Sequence, residues 1–154
     1  MSSALQLPNA TQVGAQLTRL LRRKVEAVAG SPPKGTLQFA GAYRGSDGAL
    51  LGVCLADIGF AGRAAAAFAL IPAEAAEEAV RSRTLDDNLR ETFGEVLNVA
   101  SRLFLARDGA RVTLREMHLP PQSCTPELLQ GEATALRIDI DGYGQGWLAL
   151  RLAS

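Results

Sequence analysis

The chain has 154 residues, the size of one ordinary domain, and 47% of them are hydrophobic, enough for a core that needs no disulfide or structural metal. Sixteen basic and sixteen acidic residues cancel, so no strong overall field directs the chain to nucleic acid or to a membrane surface. One histidine and two scattered cysteines, Cys54 and Cys124, fall short of the roughly four clustered ligands that a zinc site needs.

Cys54 sits in the apolar run 50–56 and reads as an inert buried thiol, and a reducing compartment suits both cysteines. The N-terminus, MSSALQLPNATQ, lacks the basic region and apolar run of a secretory signal. No apolar stretch approaches the roughly 18 residues of a spanning helix. The expectation is a cytoplasmic protein in which 1–154 form a single domain.

Taken in order, the first helix is predicted to start near Asn9 or Thr11, both good N-caps. Val13, Leu17, Leu20, Leu21, Val25 and Val28 recur at spacings of three and four, which carries that helix to the stop at Gly30-Ser31-Pro32-Pro33. Leu37, Phe39 and Tyr43 alternate with smaller or polar residues as a strand does, and Gly45-Ser46-Asp47-Gly48 supplies a hairpin turn. The next run, ALLGVCLADI, is apolar on both faces and reads as a central strand. An alanine-rich helix over 63–70 follows, ended by Pro72, which in turn opens a helix to about Val80.

The longest helix is predicted over roughly 85–105, with Leu89, Phe93, Val96, Ala100 and Leu103 as its buried seam and Arg107-Asp108-Gly109 closing it. A strand through Val112, Leu114 and Glu116 runs to Pro120-Pro121. Two more strands, marked by Leu136, Ile138 and Ile140 and by Leu148, Leu150 and Leu152, flank a glycine-rich turn, with one wet face and one buried face. The succession describes an α+β fold, a largely antiparallel sheet with long helices packed on it.

Several motifs dissolve on inspection. Gly142, Gly144 and Gly146 lie between two strands and open no helix, so they lack the amide cluster that cradles a phosphate. His118 stands alone, with no Gly-x-Ser-x-Gly elbow, and reads as structural or exposed. Arg22-Arg23-Lys24 reads as a solvated helix face.

The long helix differs. Glu91, Glu95, Asn98 and Arg102 are spaced by four, three and four and share the face opposite Val96, Ala100 and Leu103. By itself this is the wet side of an amphipathic helix. Yet Glu95-Val96-Leu97-Asn98 is a Glu-x-x-Asn element followed, after twenty-two residues, by Pro121. In this it resembles the CheC/CheX chemotaxis phosphatases, whose pattern is Asp or Ser, three residues, Glu, two residues, Asn, about twenty-two residues, then Pro. The likeness extends to the region 61–104, and the single Glu-x-x-Asn copy is more like CheX than the two-site CheC. Glu91 stands where the family has Asp or Ser. Arg102 stands where it commonly carries Gly, and a long cation there either blocks close approach or binds a phosphate or carboxylate itself.

The resemblance implies hydrolysis of the aspartyl phosphate on a response-regulator receiver domain. The receiver would supply the acylated aspartate and a bound Mg²⁺, with no cofactor on this chain. It implies Asn98 as the group orienting water, Glu95 as the partner of the receiver's lysine, and Glu91, Arg102 and Pro121 at the docking surface. A homodimer is also implied. The alternative is a non-catalytic receiver-binding or flagellar-switch-like docking module of the same fold, because folds do not fix functions. A small-molecule enzyme with a pocket elsewhere has only the generic glycines in its favour.

Overall fold

The computed structural model describes residues 5–106, 112–119 and 132–153. The chain opens with a two-residue strand, β1 (Leu5–Gln6), and then α1 (Ala10–Leu21). A reciprocal cap starts α1: the Asn9 side chain accepts from the Gln12 amide, the Gln12 side chain from the Asn9 amide, each at 2.8 Å.

The helix does not run on to Val28. Arg22 takes a left-handed conformation, φ 56°, and the Thr18 hydroxyl accepts the Val25 amide at 3.0 Å. Val25–Ala29 is a strand, β2, antiparallel to residues 140–136. Val25 stays buried as a helical seam would require, but Val28 is 54% exposed. Two β-branched residues and a full ladder of main-chain bonds outweigh a helical spacing that α1 had already exhausted.

β3 (Phe39–Arg44) and β4 (Leu50–Ala56) form the expected hairpin, turned at Gly48 with φ 83°. Asp57 then caps α2 (Ile58–Phe68), accepting the Phe60 amide at 2.7 Å. Pro72 precedes α3 (Ala73–Ser82), and α4 spans Asp87–Val99 before a 3₁₀ turn, Ala100–Leu103. A short β5 (Leu105–Ala106) pairs with β1. β6 (Thr113–His118), β7 (Ala133–Ile140) and β8 (Gly144–Leu152) complete the sheet. Its order is β2-β7-β8-β4-β3-β6, antiparallel at every step.

The main core gathers Val13 and Leu17 of α1, the alanines of α2, Phe93 and Leu97 of α4, and the row Ile138, Leu148, Leu150 of the sheet. Each large apolar side chain so enclosed stabilises by about 1.5–3 kcal/mol. The sheet's opposite face is wet along β7, where Arg137 and Asp139 are exposed. It is not wet throughout: Ala40, Ala42, Val53, Leu55 and Ala149 form a second small buried cluster there.

Small residues let α2 lie deep. A Cβ on Gly146 of β8 would come 2.2 Å from the Phe60 nitrogen, so only glycine admits the first turn of α2 at this point. Asp57 rivets the same junction, its Oδ1 also accepting the Trp147 amide at 2.9 Å. α2 in turn packs on α4 and places it against the sheet.

Candidate functional site

Helix α4 starts firmly, with the Asp86 side chain accepting the Leu89 amide at 2.8 Å and Asp87 in the first turn, where its charge suits the helix dipole. Its inner side is committed to the core through Leu89, Thr92, Phe93, Val96 and Leu97, and Ala100 and Leu103 continue the seam. Phe93 meets Phe39 edge to face, 5.9 Å between centroids. The predicted seam is therefore the observed one.

The outer side carries Glu91, Glu95 and Asn98, all exposed, within an arc of about 60° at 100° per residue. None of the three side chains has a hydrogen-bond or ion-pair partner among the described residues. Arg102 is exposed too, but the α-helix has ended by then. A 3₁₀ turn advances about 120° per residue instead of 100°, which turns Arg102 about 50° further round than an α-helix would, to roughly 90° from Asn98. The four-residue stripe expected on one long helix is thus a three-residue stripe with Arg102 off to its side. Pro121, Cys124 and the segment Arg107-Asp108-Gly109 lie outside the described residues.

The stripe borders β6. Met117, 45% exposed, lies over Gly94, where a Cβ would come 3.2 Å from the sulfur. A shallow groove of about 280 Å³ opens beside it, lined by Asp87, Arg90, Glu91, Met117 and Leu119. Met117 carries no motif, and strict alternation along β6 would set it opposite Leu114; the register shift between Ala42 and Tyr43 instead leaves both on the face that α4 covers, with Met117 across from Gly41. Beneath the stripe, the buried Tyr43 hydroxyl donates to the Leu97 carbonyl, a contact between β3 and α4 that no sequence spacing announces.

The Arg44 guanidinium, at the end of β3, donates twice to Oε1 of Glu116 on β6, at 2.9 and 2.6 Å, and His118 Nε2 lies 3.3 Å from Oε2. Arg44 above all holds the Glu116 carboxyl below the usual carboxylate range. The histidine thus sits against the carboxylate of the Arg44–Glu116 pair.

The basic run is corrected. Arg22 caps a helix, Arg23 stacks on the Tyr143 ring at 4.8 Å, and Lys24 reaches Glu26 at 3.3 Å. A second concavity of about 350 Å³, lined by Lys24, Glu26, Asp139, Asp141 and Tyr143, lies at the β7–β8 turn. Gly142 lies in that turn and Gly144 opens β8, both with positive φ, as the hairpin reading requires. Among the described residues no group of three or more His, Cys, Asp or Glu is placed to hold a metal ion. No helix among them is long and apolar enough to cross a membrane.

No protein-family model matches the sequence, and no curated protein matches it. Solved structures do. FliY of Thermotoga maritima overlays with a TM-score of 0.52 at 12% identity, covering 93% of this chain and 83% of that one. FliM of H. pylori, in its complex with SpeE, overlays at 0.51 and 12% identity, covering 94% and 81%. The fold is that of FliY and FliM. CheX of Vibrio vulnificus overlays more loosely, with a TM-score of 0.43 at 11% identity over 92% and 94% of the two chains. At such identities the likeness to FliY and FliM carries architecture alone.

Proposed function

We propose that this chain docks on a response-regulator receiver domain through the exposed side of α4 and accelerates hydrolysis of the receiver's aspartyl phosphate. One observation carries the reading. Glu95 and Asn98 stand side by side, exposed and without a side-chain partner among the described residues, on a helix whose other side is fixed in the core. A polar pair that projects outward, instead of lining a cavity, suits a substrate that is itself a folded protein with a pocket of its own.

In this reading Asn98 enters the receiver's pocket and holds a water in line with the phosphorus. The amide both donates and accepts hydrogen bonds and brings no charge against the phosphoryl group. Water attacks phosphorus, the bond to the aspartyl oxygen breaks, and inorganic phosphate and a free carboxylate leave. The receiver supplies Mg²⁺, this chain needs no cofactor of its own, and no covalent intermediate forms on it. Glu95 pairs with the receiver's lysine and sets the docking geometry, with Glu91 flanking it. A receiver partner puts the protein in the cytoplasm, and assembly as a homodimer belongs to the same reading.

The second reading is a docking module without catalysis. Arg102, a long exposed cation on the turn after Asn98, favours it, as does the occurrence of this fold in FliM bound to another protein, SpeE. The two readings separate in one assay. Receivers encoded beside this chain are phosphorylated with a small-molecule phosphodonor, and phosphate loss is followed with and without the protein. The catalytic reading expects faster loss, abolished by Asn98→Ala at undiminished binding, whereas Glu95→Ala weakens binding. Binding without any acceleration by the wild-type chain eliminates catalysis and leaves docking. Absence of binding to every receiver eliminates both.

A further inference from the structure

An amide can hold water in line only if the backbone beneath it is held still, and Leu97, the residue before Asn98, is gripped twice by one strand. Its side chain lies over Gly41 of β3, where a Cβ would come within 3.2 and 3.3 Å of its two methyl carbons. Its carbonyl accepts from the hydroxyl of Tyr43, two residues along β3 and on the same face. The Ala100 amide closes the last α-helical bond on the Val96 carbonyl, so Leu97 is the next carbonyl along, where the α-helical ladder stops, and the phenol supplies a donor there. Tyr43 is itself fixed, fully buried and edge-on to Phe104 at 5.6 Å between centroids. Burial, with Cys54 alongside, holds the phenol well above its ordinary range, so it stays a donor throughout neutral pH.

We propose that Tyr43 and Gly41 are positioning residues for Asn98: by clamping Leu97 at carbonyl and side chain they fix where α4 gives way to the 3₁₀ turn, and with it the reach of the Asn98 amide. This role rests on the reading of Asn98 given above, whereas the clamp itself does not. Both residues are buried, so neither reaches the surface where a partner would dock.

The test uses the full chain, Tyr43→Phe, which keeps the ring and removes only the hydroxyl, and Gly41→Ala, whose Cβ presses on Leu114 at 3.0 Å and on both methyls of Leu97 at 3.2 and 3.3 Å. Leu17→Ala in α1 serves as a destabilised control. Amide resonances of residues 97–102 and the Asn98 side-chain amide are recorded in the protein alone. Receiver dephosphorylation is measured as turnover and half-saturation separately. Both clamp variants should shift those resonances selectively. They should lower turnover about threefold to tenfold at unchanged half-saturation, since misplacement by a fraction of an ångström already degrades alignment. Leu17→Ala should do neither at temperatures below its melting point. Unchanged resonances in both clamp variants overturn the clamp, whatever the activity. Shifted resonances with unchanged turnover, or an equal loss in Leu17→Ala, overturn the positioning role. A wild-type chain inactive on every receiver overturns the phosphatase reading and the positioning role together, and leaves the clamp to the resonances.

Discussion

Replacing Gly146 by alanine tests the junction that seats α2 on the sheet. The added Cβ would lie 2.2 Å from the Phe60 nitrogen and 2.4 Å from its Cα, whereas ordinary contact begins at 3.4 Å. Both are main-chain atoms and cannot swing aside, so α2 must lift, or β8 bow, by about 1 Å. A lift of that size also breaks at least one of the bonds Asp57 makes to Phe60 and Trp147, at 2.7 and 2.9 Å. Overpacking costs about 1–3 kcal/mol even where side chains can yield, and a lost N-cap adds about 1 kcal/mol. A total near 3 kcal/mol corresponds to a fall in Tm of about 6–12 °C for a domain of this size. Thermal unfolding followed by circular dichroism, with urea denaturation alongside, measures it. A Tm within about 2 °C of wild type and an unaltered spectrum would refute the close packing of α2 on β8.

Further outcomes follow from other contacts. Asp57→Ala leaves the packing but removes both side-chain bonds, and a loss of about 1–2 kcal/mol in urea denaturation is expected; a value indistinguishable from zero would mean the cap is idle. Glu116, whose carboxyl is held low chiefly by Arg44, contributes stability that is present above its ordinary value of 4.5 and lost as pH falls through the depressed one. Glu116→Gln should therefore flatten the dependence of Tm on pH below about 4.5, and a profile identical to wild type would dismiss the ion network. Burial pushes the Cys54 thiol from 9.0 up to about 12, so the stability tied to its neutral form is complete below pH 9 and is lost as pH rises towards 12. Peptide mapping after alkylation at pH 8.5 should find Cys54 unlabelled until denaturant is added, and labelling of the native protein at the unfolded rate contradicts its burial. Arg102→Gly should raise receiver dephosphorylation about tenfold if the cation hinders approach to Asn98, and a decrease would make Arg102 a phosphate-binding group instead.

What the sequence conveyed depended on the length of each pattern. The seam of α4 recurs over five positions from Leu89 to Leu103 and was legible, as were the hairpins at Gly48 and Gly142, where turn chemistry punctuates period-two runs. β2 was not, because Val25 and Val28 extend the spacing of α1 and only the left-handed Arg22 and the ladder to β7 decide against it. The β1–β5 ladder is two residues long on each side and leaves no periodic trace. At the site, the exposed trio Glu91, Glu95 and Asn98 could be read from spacing alone. The 3₁₀ turn that displaces Arg102 could not, since the apolar seam passes through it unbroken at Ala100 and Leu103. Nor could the Tyr43–Leu97 contact, which joins residues 54 positions apart and lies along no local pattern.

The division of α4 into a committed side and a free side has a consequence for how such a scaffold changes over generations. Surface substitutions away from caps and cores usually alter stability by no more than about 0.5 kcal/mol, and Glu91, Glu95 and Asn98 touch neither. Selection for a stable chain is therefore nearly blind to them, which leaves them free to answer to whatever meets the outer side of α4. On the proposed reading, the stripe can be rewritten for a different receiver, or emptied of chemistry while still docking, without passing through an unfolded ancestor.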